Sequence, residues 1–221
     1  MKPDPTQIDF RQLVDHYDHL ASQHGYAPEA VHWSDWETAE RRFEILLQGF
    51  PDFKNARIMD FGCGAGHLLR YLKKRGFSGE YTGYDIAPEM IRLAKSSNPD
   101  GHFELRNLLE IPPEDQFDIA LVSGVFNNRI TENERFLYST LGILHNSVST
   151  GVAFNAMSRY VHFRNEDLHY YCPLKVFDFC KSHLSPNVTL RHDYQIKPGV
   201  IPYEFTIYIY KSDLNPVPAL A

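Results

Sequence analysis

Between Ile58 and Leu69 the chain reads Ile-Met-Asp-Phe-Gly-Cys-Gly-Ala-Gly-His-Leu-Leu, so a run of strand character meets a helical pattern through three glycines at alternate positions. Glycine has no Cβ, and such a junction admits tight or left-handed turns and lets a ligand approach main-chain amides at a helix start. The rhythm then repeats. Runs suited to strands lie at 57–61, 81–85, 102–106, 117–123 and 152–157, with helical patterns at 67–75, 88–97 and 132–145. Alternation of this kind is the signature of βαβ units around a parallel sheet. Past Met157 a loop rich in Tyr and His leads to a helix over 173–183 and two more strands, 188–194 and 205–210. The link 195–204, with two prolines, makes a poor crossover, so these last two strands are expected to be antiparallel. The expected class is α/β: a seven-stranded, mostly parallel sheet with an antiparallel last strand and helices on both faces.

Ahead of Pro51, residues 8–21 and 35–50 carry apolar positions at helical spacing, with Phe43, Leu46, Leu47 and Phe50 on one stripe. Ser34 reads as the N-cap of the second helix, with Glu37 three positions on completing a capping box. A chain of 221 residues buries one continuous core. The expected organisation is a helical extension over 1–50, a domain over 51–211 and a flexible tail over 212–221. No apolar run approaches the roughly 20 residues that span a bilayer, and the first residues lack the blocks of a signal peptide, so a cytoplasmic location is expected. Cys63, Cys172 and Cys180 form no CxxC pair, which points away from a disulfide framework or structural zinc. The formal charge of −6 disfavours nucleic acid as a partner.

Asp85 closes the second strand, 25 positions after Asp60, where an acid can hydrogen-bond ribose hydroxyls or cap the helix that begins near Pro88. Both roles can coexist. The dinucleotide pattern GxGxxG would need glycine where this chain has His67, which disfavours a nicotinamide cofactor. The acid followed by GxGxG, met by Asp60, Gly62, Gly64 and Gly66, resembles the class I (Rossmann-like) S-adenosylmethionine-dependent methyltransferases. The resemblance extends through Tyr84-Asp85-Ile86, Arg106-Asn107-Leu108 and the strand Phe117 to Ser123, covering roughly 54–211. It implies that Gly62, Gly64 and Gly66 face the methionine moiety, Asp85 holds the ribose and Ile86 packs on the adenine. It further implies that Asn107 reaches the adenine amino group, Leu108 supplies a main-chain amide, and Ser123 lies near the methionine end. Many members have Asp where this chain has Asn107. The segment Val14 to Ala21 resembles the tyrosine-containing helix that lids the cofactor in that family, which nominates Tyr17 and makes 1–50 a lid; core packing is the alternative for this tyrosine.

The implied activity is methyl transfer from S-adenosylmethionine to an oxygen or nitrogen of a small-molecule acceptor, leaving S-adenosylhomocysteine. A sulfonium is already an activated donor, so transfer needs proximity and alignment above all. A hydroxyl acceptor would gain from a base, and His169 and then His162, in the loop after the fifth strand, are the candidates. No metal is expected. Asn127, after the fourth strand, could orient a polar substrate group, and the absence there of an Asn-Pro-Pro-Tyr or Asp-Pro-Pro-Tyr motif argues against adenine or glutamine amides as acceptors. Trp33, Trp36 and Arg42-Phe43 could shape the acceptor pocket or simply pack. Two alternatives stay open at this level: a non-catalytic S-adenosylmethionine-binding protein, and an RNA or protein methyltransferase.

Overall fold

The computed structural model describes residues 8–31, 33–214 and 216. Most of the expected tail and the first seven residues lie outside them. Two helices come first, α1 (Arg11–His24) and α2 (Trp36–Leu47). The cap of α2 corrects the sequence reading. Asp35, in extended backbone, accepts the Thr38 amide at 2.7 Å, and Ser34 instead donates its hydroxyl to the Asp35 carboxylate at 2.8 Å. A carboxylate is the stronger acceptor at the positive end of a helix, so it outcompetes the neighbouring hydroxyl. Phe43, Leu46, Leu47 and Phe50 are all buried, worth roughly 1.5–3 kcal/mol for each side chain taken from water.

The βαβ region follows as β1 (Arg57–Phe61), α3 (His67–Lys74), β2 (Glu80–Asp85), α4 (Pro88–Ser97), β3 (His102–Leu105), β4 (Phe117–Val122), α5 (Asn133–Asn146) and β5 (Val148–Met157). Then come α6 (Pro173–Phe179), β6 (Val188–Arg191) and β7 (Glu204–Tyr210). The helix expected over 173–183 loses its α geometry at Cys180 and finishes as a wider turn to Leu184. The strand expected from 152 begins at Val148, because Phe117 of β4 finds its partner there.

All seven strands form one sheet in the order β3-β2-β1-β4-β5-β7-β6. Pairings from β3 to β5 are parallel, and β7 runs antiparallel between β5 and β6, with Phe154 opposite Ile207 and Leu190 opposite the same residue on the far side. Strand residues alternate between two cores. Ile58, Ile119 and Leu121 face a layer built by α2, α3 and α4, whereas Met59, Phe61, Ala120 and Val122 face one built by α5 and α6. The strand order reverses about β1, with β2 on one side and β4 on the other. In open α/β sheets a crevice forms at the carboxyl ends of the strands at that switch point.

The N-terminal helices cover this crevice in different ways. α1 packs against α4, and Asp18 accepts the Glu89 amide at 2.9 Å, so a side chain from α1 caps the first turn of α4. α2 instead sits in the body of the protein against α3, β5 and β7.

Candidate functional site

β1 ends at Phe61 and the chain turns at once through Gly62, with φ of 72°. A Cβ there would lie 2.3 Å from Val125 Cγ2, and one on Gly66, with φ of 78°, would meet Asn98 and Phe103 at 2.7 and 2.8 Å. Left-handed backbone and close packing therefore both demand glycine at these positions. The amides of Gly62 and Cys63 donate to the Tyr84 carbonyl at 2.8 and 3.0 Å, tying the loop to the end of β2.

Asp85 stands next in β2 and grips two backbones at once. One carboxylate oxygen accepts the Gly64 amide and the other the Ala87 amide, both at 2.9 Å. The two sequence readings of Asp85 are thus compatible in geometry, since each oxygen keeps a further lone pair for a ligand hydroxyl. Burial pushes its carboxyl above the usual range, opposed by these amides. Asp60 is 3% exposed, accepts the Tyr81 hydroxyl at 2.5 Å and is pushed up to about 7, first by burial and then by the charge of Asp85. Two acids thus share one wall of a cavity, an environment that favours a cationic ligand.

That cavity runs along the carboxyl edge of the sheet, under α1 and the start of α2. Tyr17, Asp60, Gly62, Gly64, Asp85, Ile86, Asn107 and Ser123 all line it. Tyr17 accepts a hydrogen bond from Asn128 Nδ2 at 2.7 Å. Asn107 uses its side-chain oxygen on the Leu109 amide at 3.1 Å, closing a local turn. Ser123 follows β4, next to the glycine loop because Val122 pairs with Phe61, and its hydroxyl is buried with no hydrogen-bond partner among the described residues. Gly66 is not on the cavity wall but starts α3. Leu108 is not there either: its side chain is packed into the α5 layer of the core, 1% exposed.

The two histidines expected as bases are not brought to the cavity. His162 is exposed, and His169 is held edge-on to Tyr171 at 4.5 Å, its amide bonded to the Asn127 carbonyl. The physical reason lies in the 158–172 segment, which is sewn down by Arg159 to Tyr171, Tyr171 to Met157 and a bridge between Asn128 and Leu168. Asn127 likewise spends its side-chain oxygen on the Met157 amide at 3.0 Å, while the next residue, Asn128, faces the cavity.

A residue that sequence reasoning treated only as a missing glycine lines the wall instead. His67 opens α3, stacks on Trp36 at 3.9 Å and bonds Tyr26 through Nδ1 at 2.8 Å. Its Nε2 lies 3.4 Å from Glu40 without hydrogen-bond alignment, and burial pushes the imidazole down to about 4, so it is neutral near pH 7. Its place directly after the third glycine was the available signal, since the first residue of that helix must lie near any ligand on the loop. Val31, Trp33 and Phe43 complete an apolar stretch beside it.

The chain matches the methyltransferase domain family over residues 58–146. It is 36% identical over 161 residues to the Mycobacterium tuberculosis protein named "Putative methyltransferase Rv1506c", covering 70% of this chain and 93% of that protein. It is 27% identical over 112 residues to the trans-aconitate 2-methyltransferase of Variovorax paradoxus, covering 47% of this chain and 43% of that one. Among solved structures, the magnesium protoporphyrin IX methyltransferase of Synechocystis with bound S-adenosylmethionine shares the fold at a TM-score of 0.61 and 11% identity, over 95% of this chain and 100% of that one. With the sheet order, the glycine loop and the length of the mycobacterial match taken together, the chain belongs to the class I S-adenosylmethionine-dependent methyltransferases.

Proposed function

We propose that this enzyme methylates an oxygen or nitrogen of a small-molecule acceptor, with the cofactor lying along the carboxyl edge of β1, β2, β3 and β4. The residues present fit that cofactor: at Ser123 a buried hydroxyl without a partner among the described residues awaits a polar ligand atom, and Gly62 and Gly64, left-handed and without side chains, let a ligand come close to the main chain on the cavity wall. Asp85 would receive the ribose hydroxyls on its spare lone pairs, Ile86 the adenine face, and Asn107 the adenine amino group through its oxygen. The Leu108 role would rest on its backbone amide alone. Asp60 would act at a distance, as part of the negative wall. Tyr17, set by Asn128, would close the sulfur end from α1, in keeping with the reading of residues 1–50 as a lid over a domain at 51–211.

When bound, S-adenosylmethionine supplies a methyl group on a positively charged sulfur. What the protein's own residues contribute is alignment, exclusion of water and a negative field from Asp85, joined by Asp60 as it ionises above about pH 7. The single observation that carries the small-molecule reading is the apolar stretch of Val31, Trp33, Trp36 and Phe43 beside the glycine loop, in a cavity whose lining includes a single basic side chain, Arg106. A polyanionic macromolecule would find little counter-charge on that lining. Neither histidine of the 158–172 segment reaches this wall, and both nitrogens of His67 face protein groups. An acceptor whose lone pair is already available, a carboxylate or a neutral amine, suits a wall that neither of these histidines reaches. A relative named for methylating trans-aconitate is in keeping with that class.

The test has two arms. Calorimetry with S-adenosylhomocysteine on Asp85→Ala should show affinity lowered by about 1–3 kcal/mol, the cost of losing a charged hydrogen-bond partner. A panel of carboxylates, amines and phenols, scored by S-adenosylhomocysteine production, should give turnover with the first two classes. Undiminished affinity in Asp85→Ala, or turnover confined to RNA or protein, would sink the proposal.

A further inference from the structure

We infer that Glu204, acting with Arg42 and Asn155, is a positioning residue that sets the turn at Ser123 to Val125 on the cavity wall; its bearing on catalysis rests on the reading of Ser123 as lying at the methionine end. Arg42 in α2 and Glu204 at the start of β7 form a bidentate ion pair, with Arg42 Nε 2.9 and 3.0 Å from the two carboxylate oxygens and a terminal nitrogen at 2.5 Å. Their side chains are 11% and 1% exposed. Two charges so deeply buried lose their hydration, and apolar residues of similar volume would stabilise the fold as well or better. Stability alone therefore does not explain the pair.

The carboxylate has a second task. It accepts Asn155 Nδ2 at 3.3 Å, which fixes the amide so that its oxygen faces the other way and accepts the Gly124 amide at 2.7 Å. Remove the carboxylate and the amide of Asn155 is free to turn its NH2 toward a backbone N–H, where it can accept nothing. Gly124 has φ of 78° and separates Ser123 from Val125, and all three line the cavity. Val125 interlocks with the glycine loop through the space a Cβ on Gly62 would need. On the other side, Arg42 belongs to the helix that brings Trp36 and Phe43 to the same wall. One ion pair thus joins the roof of the cleft to the turn on its floor.

A matched pair of double variants separates positioning from simple support. Arg42→Met with Glu204→Leu removes both charges and the oxygen that orients Asn155; Arg42→Met with Glu204→Gln removes the charges but keeps an acceptor oxygen. Three quantities are read on the full chain: the melting temperature, the exchange rate of the Gly124 amide by selective 15N-glycine labelling without ligand, and S-adenosylhomocysteine affinity by calorimetry. In the Leu variant Gly124 exchange is expected to rise about 10-fold and affinity to fall about 5- to 10-fold, with melting near or above wild type. The Gln variant should restore both readings, and Asn155→Leu should reproduce the loss. Wild-type exchange at Gly124 in the folded Leu variant overturns the inference. Failure of the wild-type protein to bind S-adenosylhomocysteine overturns the proposed function instead, while the exchange measurement still decides the positioning role.

Discussion

Replacing Asp60 by asparagine should leave this protein more stable in alkaline than in acidic solution relative to wild type. The carboxyl is 3% exposed, and burial raises it from the usual 3.8 to about 7. A raised carboxyl pKa means that the folded state holds a proton which the unfolded chain releases between those two values. The stabilising contribution is therefore complete below 3.8, is lost as pH climbs toward 7, and is absent above it. At about 1.4 kcal/mol for each pH unit, the full span is worth about 4 kcal/mol, and the part between pH 5 and 7 about 3 kcal/mol. The amide of asparagine carries no charge at any of these pH values, and its oxygen still accepts the Tyr81 hydroxyl that now reaches Asp60 at 2.5 Å. Urea unfolding of both proteins at pH 5 and pH 8 measures the difference directly. Asp60→Asn should gain on wild type by about 3 kcal/mol between the two conditions. Parallel stability curves, or a loss at pH 8, would refute the claim that an ionised Asp60 is held in the wall at a cost in stability.

Two further substitutions probe local structure. Gly62→Ala introduces a side chain where φ is 72° and Val125 is 2.3 Å away, so unfolding free energy should drop by at least about 2 kcal/mol and S-adenosylhomocysteine affinity should fall with it; a stable variant with wild-type affinity would show that the loop has room to spare. Asp35→Ala removes the cap of α2 and should lower the melting temperature by about 2–4 °C, whereas Ser34→Ala should change it little; the reverse order would return the cap to Ser34.

Local chemistry made much of this architecture legible. The glycines at 62, 64 and 66 and the acids at 60 and 85 are signals within a few residues of a strand end, and backbone sterics act over that range. Strand starts were less legible where pairing decides them: β5 begins at Val148 because Phe117 lies opposite. The cap of α2 turned on a competition between adjacent side chains, which pattern matching ranks poorly. His162 and His169 were placed beside the crevice by their order after the fifth strand. Main-chain hydrogen bonds of Arg159, Tyr171, Arg129 and His169 fix that segment where neither histidine lines the wall. Asn127, the candidate for orienting a substrate group, turns to the Met157 amide, which leaves the adjacent Asn128 on the cavity wall.

Periodicity and glycine placement by themselves determined the α/β class, the antiparallel finish and the left-handed glycine loop after the first strand, because each follows from steric rules acting on neighbouring residues. Tertiary structure alone decided what surrounds that loop. Arg42 and Glu204 stand 162 positions apart, His67 joins the wall by stacking on Trp36 from another helix, and Ser123 becomes a buried hydroxyl without a partner among the described residues only when β4 settles beside β1. Burial and long-range pairing are properties of the packed chain, and no window of sequence contains them.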